Sequence, residues 1–219
     1  MRNALAAAMA LAFGAAQAQD LSDAASLTAE FEVKQERGEA LASEIGAMVA
    51  RDQFIRSILI EGFQRPMSDA TRQAFIDATR GHFERVDSAN TARLKEILAE
   101  TDFEDLAAIS RSLAQSAVTL VSHSPDADFQ RGLLPTFERM ARAGTLNADA
   151  FANLYDDVTL NDRGVQRYGM NMDCQNGAWT PKPLEDAEQV DARRAEIGLG
   201  PLAAHREQLA ALYGPCPDG

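Results

Sequence analysis

Apolar residues recur along the first hundred positions at the spacing of one helix face. Ile45, Met48, Val49, Ile55, Ile58 and Leu59 fall three, four and seven apart. Phe75, Ile76, Phe83, Val86, Leu94, Ile97 and Leu98 carry the same period to about Glu100. Gly62 and Pro66 separate the two stretches, and Ser68 is an N-cap for the second. Asp87-Ser88-Ala89-Asn90 reads as an interruption. A looser piece around Asp102-Phe103 leads into a further helix with Leu113, Ala117, Val118, Leu120 and Val121 inward. Ser124-Pro125-Asp126 then offers an N-cap, a first-turn proline and an acid matched to the helix dipole. That helix should run to Arg142, kinked or tightened at Pro135, with Gly144 just past its end. Asn147 caps another through about Leu160, closed by Asn161-Asp162-Arg163-Gly164.

From Val165 to Pro183 the helical period disappears. Gln166 to Asp173 and Ala178 to Thr180 flank Asn176-Gly177, a dipeptide suited to a tight hairpin turn. Two short helices follow, Asp186 to Ile197 and Pro201 to Tyr213, split by Gly198-Leu199-Gly200. The predicted fold is all-α and bundle-like, with one small β-hairpin over residues 165–181 and no repeat or linker that divides it.

The N-terminus changes the picture by setting a compartment. Met1-Arg2-Asn3 is followed by an apolar run from Ala4 to Ala16, about 13 residues where a membrane-crossing helix needs roughly 20. Ala16-Gln17-Ala18 places small residues where a signal peptidase reads. The expectation is a secretory signal over residues 1–18, cleaved after Ala18, and a single helical domain over 19–219. The product is expected to be soluble, periplasmic or secreted, with no stable membrane insertion. In an oxidising compartment the two cysteines, Cys174 and Cys216, are most simply one disulfide. It would close a loop of about 43 residues, which chain entropy puts at about 4 kcal/mol. The net charge of −12 argues against nucleic acid as a partner, because phosphate contacts need clustered Lys and Arg.

Candidate chemistry gathers between His123 and Arg194. His123 ends an apolar helix and precedes Asp126, Asp128 and Gln130. His-x-x-Asp-x-Asp has ligand types that suit zinc or manganese, but the two acids lie about 200° apart on a helix, so no metal is expected. Either His123 and Asp128 line a polar pocket, with His123 exchanging protons near neutral pH, or the acids feed the helix N-terminus and His123 satisfies a carbonyl. On a strand, Gln166 and Tyr168 would present an amide and a phenol to a ligand from one face; otherwise they pack and bond backbone. Asp186 and Arg193 are seven apart on a predicted helix, where Arg193 would grip a carboxylate of a ligand or of the protein. Tyr155, Asp156 and Asp157 read as a solvated helix face. No nucleophile elbow, Walker loop or dinucleotide fingerprint is present, and no cofactor is expected.

Ordered blocks of the chain resemble the bacterial domain of unknown function 6624. They are Arg51-Asp52-Gln53 with Arg56, the stretch from Asn90 to Leu98, His123 through Gln130, Gln166-x-Tyr168-Gly169, and Pro183-Leu184-Glu185-Asp186 through Leu199. Together they span about residues 48–212. Met170-Asn171 stand where the resembled pattern has Thr-Gln, and Asp156-Asp157 where it has Asp-Arg. The resemblance implies a shared fold and polar constellation rather than a reaction. The leading expectation is a polar pocket of His123, Asp128, Gln130, Gln166, Tyr168, Asp186 and Arg193 that binds a small molecule or peptide. Two alternatives stay open: a hydrolase with His123 as base oriented by Asp128, and an interaction scaffold whose polar motifs hold the fold.

Overall fold

Each capped apolar stripe forms a helix. In order these are α1 (Arg2–Phe63), α2 (Asp69–Leu98), α3 (Phe103–Ile109), α4 (Arg111–Ser122), α5 (Ala127–Arg142), α6 (Ala148–Arg163), α7 (Val190–Glu196) and α8 (Leu202–Tyr213). Strands β1 (Met172–Gln175) and β2 (Ala178–Pro181) stand between α6 and α7. The fold is mainly α-helical with one small antiparallel hairpin, as the periodicity predicts. The computed structural model describes the backbone over residues 2–213 and at Cys216, and side chains over residues 23–212 and at Cys216. The expected export signal, residues 1–18, lies outside the residues described in full. The chain divides into two compact units, Met1–Glu44 and Ile45–Gly219. The first contributes the N-terminal part of α1, which leaves Leu27, Phe31 and Val33 about two-thirds exposed. The second holds the helical core, the hairpin and the disulfide.

Its central helix is α4, which packs against α2, α3, α5 and α6. Leu113, Ala114, Ala117, Val118, Leu120 and Val121 of α4 are all buried, and the small Ala114 and Ala117 allow close approach on two sides. Phe103 of α3 meets Phe137 of α5 edge to face at 4.5 Å between centroids. Ile45, Met48, Leu94, Leu106, Met140 and Phe151 complete the core.

Several caps form where the sequence places them: Ser68 accepts from Thr71 N–H and Asn147 from Ala150 N–H. Elsewhere the structure corrects the sequence reading. α2 runs unbroken through Asp87–Asn90, because Thr91 is buried with both its hydroxyl bonds satisfied. It donates to the Asp87 carbonyl at 2.7 Å and, with its one proton so used, accepts from the Ser124 hydroxyl at 2.9 Å. The looser piece is the helix α3, capped by Asp102. The N-cap of α5 is Asp126, two residues later than expected, since Ser124 is turned to Thr91 and to the Asp126 N–H. Asn176 (φ 51°) and Gly177 (φ 73°) both take the positive φ of a type I′ turn, but the hairpin begins only at Met172.

Residues 166–171, read as strand, are instead a buried loop held by side chains. Asp156 of α6, fully buried, accepts the Arg167, Tyr168 and Met170 N–H groups at 2.7–2.9 Å. Gln166 spans the loop, accepting from Asn171 N–H and donating to the Asn171 and Lys182 carbonyls. Arg194 of α7 donates to the Tyr168 and Gly200 carbonyls, and Arg193 to those of Arg167, Glu185 and Asp186. Gly169 (φ 72°) closes the turn where any Cβ would stand 2.7 Å from Leu202 Cδ1. The departures Asn171 and Asp157 meet, with Asn171 Nδ2 donating to the Asp157 carboxylate at 2.9 Å.

Cys174 and Cys216 are disulfide-bonded, tying the end of the chain to β1. Such a bond suits an oxidising compartment. Among the described residues no helix is long and apolar enough to cross a membrane.

Burial pushes the Asp156 carboxyl above its ordinary range, and the three amide bonds pull back part of that shift. Asp156→Asn replaces an acceptor with a donor against a buried N–H. It should lower unfolding free energy by about 2–3 kcal/mol in urea melts. Replacing both cysteines with serine should remove about 2–4 kcal/mol in the same assay.

Candidate functional site

The charged groups least explained by fold-holding lie where α1, α2 and the end of α4 meet. Asp52 occupies an inward position of α1, four residues after buried Met48, and its side chain is fully buried. Arg56, one turn later, reaches Asp52 at 3.4 Å and Asp87 of α2 at 3.0 Å. His123, the C-cap of α4, places Nδ1 2.9 Å from Asp52 Oδ2. Gln53 donates a further bond to Asp52 at 2.8 Å. The side chains of Asp87, Arg56 and His123 are 15%, 22% and 28% exposed, so the cluster opens to solvent on one side.

The proton on His123 can be assigned from this geometry. Nδ1 also lies 3.0 Å from Arg56 Nε, yet one nitrogen cannot accept from arginine and donate to a carboxylate together. The buried carboxylate of Asp52 is the stronger claimant for an N–H. Nδ1 therefore carries the proton, leaving Nε2, 3.3 Å from Arg56 Nε, as the arginine's acceptor. In this arrangement Asp52 orients the ring and Arg56 faces its free lone pair.

A groove of about 390 Å³ adjoins the cluster. Leu59 of α1, Ile76 and Phe83 of α2, and Pro125 of the α4–α5 connection give it apolar walls. Thr79, Arg80, Glu84 and Asp87 supply its polar positions. Asp87 belongs to both groove and cluster, and the Arg56 guanidinium lies 5.4 Å from the centre of the Phe83 ring.

The residues expected to form one pocket are dispersed. His123 alone is in this cluster. Its carboxylate partner is Asp52 and not Asp128, whose side chain is 93% exposed and pairs with Arg131, itself bound to Asp162. Gln130 donates to the Val121 and Ser122 carbonyls, closing the end of α4. Gln166 and Tyr168 are buried in the loop held by Asp156, facing away from solvent. Arg193 grips main-chain carbonyls, including that of Asp186, so no Asp186–Arg193 carboxylate pair forms. Among the described residues no group of three or more His, Cys, Asp and Glu side chains converges to hold a metal. The residues the pocket expectation omitted are Asp52, Arg56 and Asp87. Their signal was an acid at an inward position of an apolar stripe.

Burial raises the Asp52 carboxyl, but the His123 hydrogen bond and the charges of His123 and Arg56 outweigh it, holding Asp52 below the ordinary range. Its folded value lies under its unfolded one, so its stabilisation is present above about pH 3.9 and lost as pH falls through the folded value. His123→Ala removes two of the lowering influences and should shift the acid-unfolding midpoint, followed by circular dichroism, to higher pH. Asp52→Ala leaves the His123 Nδ1–H without its acceptor and Arg56 with Asp87 as its one carboxylate among the described residues, and should cost about 3 kcal/mol in urea melts.

No curated protein and no solved structure matches this chain. Residues 39–215, which include Asp52, Arg56, Asp87, His123 and the whole loop system, match the Family of unknown function (DUF6624). The chain belongs to that family.

Proposed function

We propose that this chain is an exported domain that binds a small ligand in the groove between α1 and α2, with the Asp52–Arg56–Asp87–His123 cluster at its polar end. The observation that carries the reading is the contact between a half-open charged cluster and an apolar-walled groove of about 390 Å³, a volume in the range of small-molecule sites. Asp87 lies in both, so a ligand on the apolar walls reaches the cluster without any side chain having to unfold. The leader-like sequence of residues 1–18 and the Cys174–Cys216 disulfide support export to the periplasm or outside. The polar residues around Asp156 are assigned to the fold, since their hydrogen bonds end on main-chain groups.

The test is a panel of small aromatic and aliphatic fragments screened by ligand-observed NMR against the protein recovered from the periplasm. Binders are expected with the wild type and lost in Ile76→Trp, which fills the groove from an α2 position that is not part of the charged cluster. An empty screen, or binders indifferent to Ile76→Trp, would remove this reading. The intact mass of the same material should begin at Gln19.

A further inference from the structure

Resting on the groove reading, we propose that the ligand is a cationic amphiphile: an ammonium group on a short apolar body, its charge between Glu84 and Asp87. Glu84 and Asp87 are three residues apart on α2 and so lie on the same side of the helix, above walls formed by Leu59, Ile76, Phe83 and Pro125. The charges facing the groove come from α1, α2 and the end of α4, and their pairing decides which ligand charge is attracted.

Among the described residues of α1 the cation at the groove is Arg56, already engaged by Asp52, Asp87 and the His123 ring. On α2 Arg80 stands at the groove's rim, its side chain 61% exposed, and is paired with Asp77 at 3.4 Å. His123 is turned to Asp52 and Arg56. Glu84, by contrast, has no ion pair within 4.0 Å among the described residues. Asp87 shares its single cation with Asp52, and burial outweighs Arg56 enough to raise its carboxyl above the ordinary range. Among the described residues the groove therefore has one acid without an ion pair and one undersupplied acid, while both of its cations, Arg56 and Arg80, already have carboxylate partners. The chain's net charge of −12 acts in the same direction, drawing cations in and keeping anions out. The apolar walls exclude a small hydrated cation as the preferred occupant, because they favour a ligand that brings apolar surface to bury.

Hexylamine, hexan-1-ol and hexanoate separate charge from chain. Each is titrated calorimetrically into the wild-type protein, Glu84→Gln and Ile76→Trp at pH 7 and low salt. Hexylamine should bind at least tenfold tighter than hexan-1-ol, and hexanoate more weakly than either. Lengthening the amine by one methylene should tighten binding about fourfold. Glu84→Gln should weaken hexylamine several-fold and leave hexan-1-ol unchanged; Ile76→Trp should abolish both. Hexan-1-ol or hexanoate binding as tightly as hexylamine, with Ile76→Trp still blocking, overturns the ammonium assignment and leaves the groove reading standing. Failure of all three to bind, in a protein whose melting curve is normal, overturns both.

Discussion

The arrangement of the C-terminal third depends on one carboxylate. Asp156 lies at an inward position of α6, four residues after Ala152 and three before Thr159, where an apolar side chain would be the ordinary choice. Its two oxygens take three amide donors, those of Arg167, Tyr168 and Met170, from the loop that leaves the helix. A loop buried beside a helix bundle otherwise carries unmatched polar groups, each disfavoured by a kcal/mol or more. Asp156 matches the donors, Arg193 and Arg194 match the carbonyls, and Gln166 matches both ends at once. Tyr168 can then lie flush in the core with its ring against Phe151 and Tyr155. The hairpin, α7 and α8 all take their positions from this loop.

The molecule thus has two buried polar systems with different chemical character. Around Asp156 the partners are main-chain groups, fixed in number and geometry, and none of the principal side chains is left facing water. Around Asp52 the partners are other side chains, drawn from three elements, and three of the four are partly exposed. The first arrangement makes a shape. The second keeps charge near a surface groove, where rearrangement of Arg56 between Asp52, Asp87 and His123 remains possible without disturbing a main-chain bond.

How much was legible follows from the same distinction. Helix ends governed by local chemistry were readable: Ser68 and Asn147 as N-caps, Gly144 and Gly164 past helix ends, Asn176-Gly177 as the turn, and the cysteine pair. Periodicity was enough for the helical class and for the core face of α4. It misled at Asp156, because an acid on a helix reads as solvated unless its long-range partners are known. It misled at Gln166 and Tyr168, which alternate like strand residues yet answer to donors and acceptors brought by α6 and α7. Asp52 was visible as an acid at an inward position and as a member of a motif block, but without its partner. That it faces His123 depends on the packing of α1 against α4, which no local spacing encodes.

That pairing also bears on how the chain reaches its fold. The contacts of α3 with α4 and of α5 with α6 join neighbours in sequence, and such units can form early with little loop to close. Asp52 and His123 are 71 residues apart, and Arg56 and Asp87 are 31 apart. The ionic cluster therefore rewards an encounter that must first overcome the entropy of a long closed loop. Its charges gain little from partial approach and most of their benefit on final docking. In folding terms the cluster is a long-range latch on α1, which engages only when residues far apart in the chain have come together.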